Sequence, residues 1–215
     1  MYPIIILSVL GILTLYLGFS KSKNILLPSV LLFLLVALVA NFIDWKDSPL
    51  LYFQDMMLVN HLTLSFNAIL LIAAFMVVAL TGCFQDNEEA QPAEYYAIML
   101  FSLVGAMMMV GYNHMIMLFI GVEILSIAMY ILAGSDKRNI RSNEASLKYF
   151  LMGAFASGIM LFGIALLYAG SGTFALTGLK GFVSATQQPL SYIYYPGLLL
   201  LLIGLLFKVS AAPFH

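Results

Sequence analysis

Apolar residues in this chain do not alternate with polar ones; they run in long continuous blocks separated by brief polar stretches. A helix crossing about 30 Å of hydrocarbon at 1.5 Å per residue needs roughly 20 apolar residues. Seven blocks meet that length, at about 3–20, 25–43, 61–83, 95–112, 114–134, 144–169 and 196–215. The pattern predicts an all-α polytopic membrane protein with about seven transmembrane helices. Connections are short except for about 44–60 and 171–195. The second contains FALTGLKGFVSA, in which Leu179, Phe182 and Val183 share a helical face. That predicts a short helix lying in the membrane interface, too polar and broken to span. The first block has no basic region ahead of Pro3 and no small-x-small cleavage site after Gly18, so it reads as a spanning helix and not a signal peptide.

Composition agrees and narrows the function. Charged residues make up 9% of the 215 positions and hydrophobic ones 63%, whereas a soluble domain carries about 25% charged residues. A soluble enzyme of ordinary design is excluded. Net charge is −1 with no long block of one sign, which leaves no electrostatic footprint for nucleic acid. Cys83 is the only cysteine, so this chain alone forms no intrachain disulfide and no cysteine-ligated iron–sulfur site. Loops after the first, third and fifth blocks hold Lys21, Lys23, Lys137, Arg138 and Arg141, against Lys46 and Lys180 after the second, fourth and sixth. Because cytoplasmic loops retain Lys and Arg, this asymmetry predicts an external N-terminus.

Glu123, Lys208 and Lys148 fall inside spanning blocks. An ionisable group at the bilayer centre costs at least about 2.5–3.5 kcal/mol on insertion scales, so each is a functional candidate. Glu123 follows His114 by nine residues, roughly 14 Å of helix, and a side chain that short cannot snorkel to water. Lys208 interrupts GLLLLLIGLLFKVSAAPFH at a similar depth. The fifth and seventh blocks run in the same direction, so these two charges can face each other as a pair whose protonation depends on their separation. The alternatives are a packing hydrogen bond for Glu123 and snorkelling for Lys208. Lys148 lies one turn inside its block with Glu144 four residues before it, and bare physics favours a snorkelling lysine. Pro213 is expected either to break the seventh helix, exposing backbone that needs water or protein partners, or merely to end it.

Other polar positions carry less. His61 and His114 begin helices, where a solvated or capping imidazole is expected, and His215 follows the proline. Met107, Met108, Met109, Met115 and Met117 read as gap-filling side chains. Gly153, Ala154, Ser157 and Gly158 form small-xxx-small spacings that let a neighbouring helix approach. The G-x-G-x-x-A match at Gly170, Gly172 and Ala175 lacks the strand–turn–helix context that binds a dinucleotide, and the chain has no P-loop, HExxH or GxSxG.

The stretches EYYAIMLFSLVGAMMMVGYNHMIMLFIGVEILSIAMYILAG, SNEASLKYFLMGAFASGIMLFGIALLY and GLLFKVSAAPFH resemble the antiporter-like membrane subunits of proton-pumping NADH:quinone oxidoreductase, respiratory complex I, and most of all its subunit N. The resemblance covers about 94–215. It implies a first antiporter-like module there, preceded by three helices in 1–93. The chain stops at His215 where such subunits continue, which implies the N-terminal half of one, ending in a broken seventh helix. Glu123 matches the glutamate of L-x-x-G-x-E-x-x-S-x-x-x-Y, which the family pairs with a lysine of F-K-x-x-x-x-P-F-H, here Lys208; Lys148 matches the lysine of K-Y-F. The resemblance further implies proton translocation in a bacterial inner membrane, within a hetero-oligomer of complex I membrane subunits. NADH, FMN, iron–sulfur clusters and quinone are expected in partner subunits and no cofactor in this chain. Subunits of multisubunit cation/proton antiporters and membrane-bound hydrogenases share the Glu and Lys motifs and form the alternative, with a noncatalytic membrane scaffold as a third.

Overall fold

The computed structural model describes residues 1–19, 25–45, 49–81, 92–185 and 192–213. Among these, eight helices follow one another: α1 Tyr2–Leu17, α2 Leu26–Ile43, α3 His61–Thr81, α4 Pro92–Val110, α5 Met115–Ala133, α6 Ile140–Ser171, α7 Leu176–Ala185 and α8 Tyr194–Lys208. The helices α2 to α6 are each long and apolar enough to cross a membrane, while α1 and α8, of 16 and 15 residues, are apolar but shorter. The chain is a multi-pass membrane protein. Lys21, Lys23, Lys46, Cys83 and His215 lie outside the described residues.

The connections show how the helices alternate. Between α2 and α3, strands β1 Leu50–Tyr52 and β2 Met57–Val59 form an antiparallel hairpin that the sequence pattern did not reveal. Its turn places Phe53, Gln54 and Asp55 at φ of 52°, 53° and 64°, a left-handed conformation unfavourable to any residue with a Cβ. Tertiary bonds hold it: Asn113 donates from Nδ2 to the Asp55 carbonyl at 2.8 Å, and the Leu58 N–H donates to Gly111 O at 2.8 Å. The α4–α5 loop in turn bonds the start of α7, with Met115 N–H donating to Phe174 O and Leu176 N–H to Asn113 O. The trailing ends of α2, α4 and α6 are therefore laced together at one end of the bundle. At the other end Lys137, between α5 and α6, lies 3.8 Å from Glu94 at the start of α4.

Local chemistry sets the helix limits. His114 caps α5, its Nδ1 accepting from the Ile116 N–H at 3.3 Å, and Asn139 caps α6 by accepting from Arg141 N–H. At α3 the side-chain acceptor is Asn60, bonded to Thr63 N–H at 2.8 Å, and His61 instead packs its ring against Trp45. Gly172, at φ 72°, closes α6, a position that requires glycine's freedom, so the dinucleotide-like motif is a helix cap. The expected interfacial helix forms as α7, with Leu179 buried and Phe182 packed in the same core, but Val183 stays exposed.

The last helix departs from the apolar pattern, which ran to about 215. It ends at Lys208, five residues before Pro213. The Ala211 N–H donates to Leu206 O and the Ser210 N–H to Phe207 O, both at 3.0 Å, with Ser210 at φ 54°. This is the paired bonding of a Schellman cap with serine at the usual glycine position. Whether a helix resumes after Pro213 lies outside the described residues.

Two cores form. One joins α1 to α4 around Leu7, Leu34, Leu71 and Leu100; the other joins α5 to α8 around Val122, Met160, Ile164 and Leu201. The expected small-residue contact is redistributed. Gly153 faces the side chain of Tyr130, Gly158 meets open space, and the close crossing of α6 with α8 is at Gly163, where a Cβ would lie 2.5 Å from Leu201 N.

Candidate functional site

Glu123, Ser126 and Tyr130 occupy positions i, i+3 and i+7 of α5, spacings that share one helical face. That face meets the end of α8. Lys208 Nζ donates to Ser126 Oγ at 2.9 Å and to Tyr130 Oη at 3.0 Å, and lies 3.8 Å from Glu123 Oε1. Glu and Lys are therefore within ion-pair range, while the ammonium's hydrogen bonds go to hydroxyls one and two turns further along α5. Glu123 Oε1 is buried with no hydrogen-bond partner among the described residues. The side chains are 26% and 15% exposed for Glu123 and Lys208, so the pair is only partly desolvated within this chain. Lys208 sits in the last turn of α8, where the aligned peptide dipoles make the helix end negative and favour a cation. The helix itself ends here, short of the expected block's end at about 215.

Tyr130 is held chiefly by α6. Its ring meets Tyr149 edge-on at 4.6 Å between centroids and Phe150 at 5.9 Å, and its carbonyl accepts from Ser146 Oγ at 2.7 Å. Ser146, Tyr149, Phe150 and Gly153 thereby define the side of α6 turned to α5. Lys148 points elsewhere. It bonds Glu144 at 2.5 Å across one helical turn, as the i,i+4 spacing predicts, with 69% and 57% of the two side chains exposed. The structure brings Glu123 and Lys208 together and leaves Lys148 apart from them. Ser126 and Tyr130 were not singled out from the sequence as functional; the signal available was their spacing from Glu123 within the quoted motif.

Among the described residues no group of three or more His, Cys, Asp or Glu side chains is placed to hold a metal ion. His114 lies at the laced end of the bundle, where burial lowers its pKa from 6.5 and keeps Nδ1 free to accept as a cap.

A family model described as "NADH:quinone oxidoreductase/Mrp antiporter, TM" matches residues 112–215, the segment holding Glu123, Ser126, Tyr130, Lys148 and Lys208. The chain belongs to this family. NADH-quinone oxidoreductase subunit N of Flavobacterium johnsoniae is 39% identical over an alignment covering 100% of this chain and 46% of the relative. The subunit N of Cytophaga hutchinsonii is 41% identical, again covering 46% of that protein. The chain spans about half the length of these curated relatives. Respiratory complex I from Thermus thermophilus with bound aureothin superposes with a TM-score of 0.78 at 29% identity, covering 99% of this chain and 45% of that one. An archaeal membrane-bound sulfane sulfur reductase gives a TM-score of 0.80 at 21% identity over 99% of this chain and 45% of that one, a likeness of fold alone.

Proposed function

We propose that this chain acts as a proton-translocating membrane subunit of NADH:quinone oxidoreductase, with Glu123 and Lys208 as a switchable ion pair. The observation that carries the reading is the Lys208 ammonium 3.8 Å from Glu123 Oε1 with its hydrogen bonds directed to Ser126 and Tyr130. At that distance the Coulomb attraction is on the order of 4 kcal/mol at an effective dielectric of 20, and doubling the separation halves it. No direct hydrogen bond locks the two charges, so a small displacement of α8 against α5 changes the strength of their interaction. Similarity to subunit N supports the quinone oxidoreductase reading. The antiporter alternative rests on the shared family description.

In this reading the subunit belongs to a hetero-oligomer in a bacterial inner membrane, with its N-terminus outside. Residues 1–93 supply three flanking helices and 94–215 the first part of an antiporter-like module. NADH, FMN, iron–sulfur clusters and quinone reside in partner subunits, whose redox chemistry drives the displacement. Lys148 contributes a second protonatable position on the path.

The test is NADH-driven proton uptake into native membrane vesicles containing the assembled complex. Glu123→Gln and Lys208→Met each lower uptake strongly; full uptake with both would contradict the proposal.

A further inference from the structure

The Tyr130 hydroxyl reaches Lys208 because α6 offers it a place to sit, and that place is Gly153. A Cβ built on Gly153 would fall 2.9 Å from Tyr130 Cε1 and closer still to Cζ and Oη. Real Cβ atoms do not make such contacts, so any side chain here displaces the phenol. Helix packing alone does not explain the glycine, because what it meets is a side chain and the close α6–α8 crossing is made at Gly163, Gly197 and Gly204. The rest of the seat is equally specific: Tyr149 edge-on to the ring, Phe150 beside it, and Ser146 bonded to the Tyr130 backbone.

We infer that Gly153 and Tyr130 are positioning residues for Lys208: the glycine seats the phenol, and the phenol, with Ser126, forms a hydroxyl station that holds the ammonium out of hydrogen-bond contact with Glu123. This inference rests on the proton-translocation reading above and deepens it, since a lysine that switches needs a second partner when it leaves the carboxylate. Two neutral oxygens satisfy an ammonium without taking its charge, whereas a second acid would trap it. The ionisable groups facing Lys208 are Glu123 and Tyr130 from α5. From α6, Tyr149 packs on Tyr130, while Glu144 and Lys148 are paired with each other on an exposed side of that helix.

The experiment compares Tyr130→Phe, Gly153→Ala and the double variant in vesicles of the assembled complex, measuring NADH-driven proton uptake across pH. Glu123→Gln and Lys208→Met serve as references. Tyr130→Phe removes one acceptor from a charged donor, an effect of about tenfold on the affected equilibrium. Uptake should therefore fail earlier on the alkaline side, where a protonated amine is hardest to keep. Gly153→Ala should move the same limb in the same direction, and the double variant should move it no further than the larger single effect, because the phenol has already been displaced. A purely structural role would lower the amount of assembled complex and leave the profile in place. Should Gly153→Ala fail to assemble, Tyr130→Phe, which deletes one oxygen, decides alone. An unmoved profile in Tyr130→Phe while Glu123→Gln and Lys208→Met lose uptake would overturn the inference and spare the pair. Full uptake in both reference variants would instead remove the reading on which it rests.

Discussion

Lys148 and Lys208 are both lysines in apolar helices, and their surroundings separate them. Lys208 is enclosed by Glu123, Ser126 and Tyr130, whereas Lys148 is paired with Glu144 on an exposed stretch of α6. Exposed pairs of this spacing contribute a few tenths of a kcal/mol. Lys148→Met should therefore shift stability by less than about 0.5 kcal/mol, read from thermal unfolding of the purified complex. Lys148→Arg keeps the charge but has no accessible neutral state, so if Lys148 exchanges protons it impairs uptake in vesicles; unchanged uptake would leave Lys148 a surface residue. Glu123 and Lys208 were legible in the sequence because a charge within an apolar run is expensive and stands out. Ser126, Tyr130 and Gly153 were not, because hydroxyls, aromatics and glycines are ordinary in membrane helices and take their meaning from what they touch.

The end of α8 shows what an element reveals that a pattern does not. Apolar residues continue through Val209 and Ala211, so hydrophobicity alone carries the helix onward, yet Ser210 adopts the left-handed conformation that closes it at Lys208. Serine gives no warning of such a cap, unlike Gly172 on α6. Ser210→Gly should relieve about 1 kcal/mol of backbone strain and raise the thermal midpoint; a lowered midpoint would contradict the cap. The hairpin was hidden for a different reason, since three-residue strands are too short for a period to register and the bonds that brace them come from the distant α4–α5 loop. At α5 the cap depends on pH. Burial lowers the His114 pKa, so unfolding takes up protons below the usual value of 6.5; the cap's contribution is complete above 6.5 and is lost as pH falls toward the depressed native value. His114→Asn preserves a cap without a titrating group and should flatten the acid side of the stability profile relative to the unmodified chain.

Across the whole molecule, the seven apolar blocks anticipated the spanning architecture, and the laced loops place successive helix ends alternately on two sides. Which side faces the cytoplasm rests on the lysine and arginine distribution. In a background without Cys83, a cysteine at Asp55 in the hairpin should react with an impermeant reagent in intact cells, and one at Ser135 should be shielded; the reverse pattern would invert the proposed orientation. The two cores follow from apolar faces that any bundle must bury, but which helices cross most closely depends on where glycines meet, Gly105 with Gly121 between α4 and α5 and Gly163 with Gly197 between α6 and α8, a fact of geometry rather than of period. In the proposed mechanism Glu123 and Lys208 operate as one unit, Lys208 at the end of α8 lying 3.8 Å from Glu123 on α5. Its most direct test is a double-variant cycle on NADH-driven proton uptake by fully assembled complex, verified on native gels. If the charges are coupled, Glu123→Gln combined with Lys208→Met costs much less than the sum of the two single losses. Strictly additive losses in assembled complex would contradict a paired mechanism.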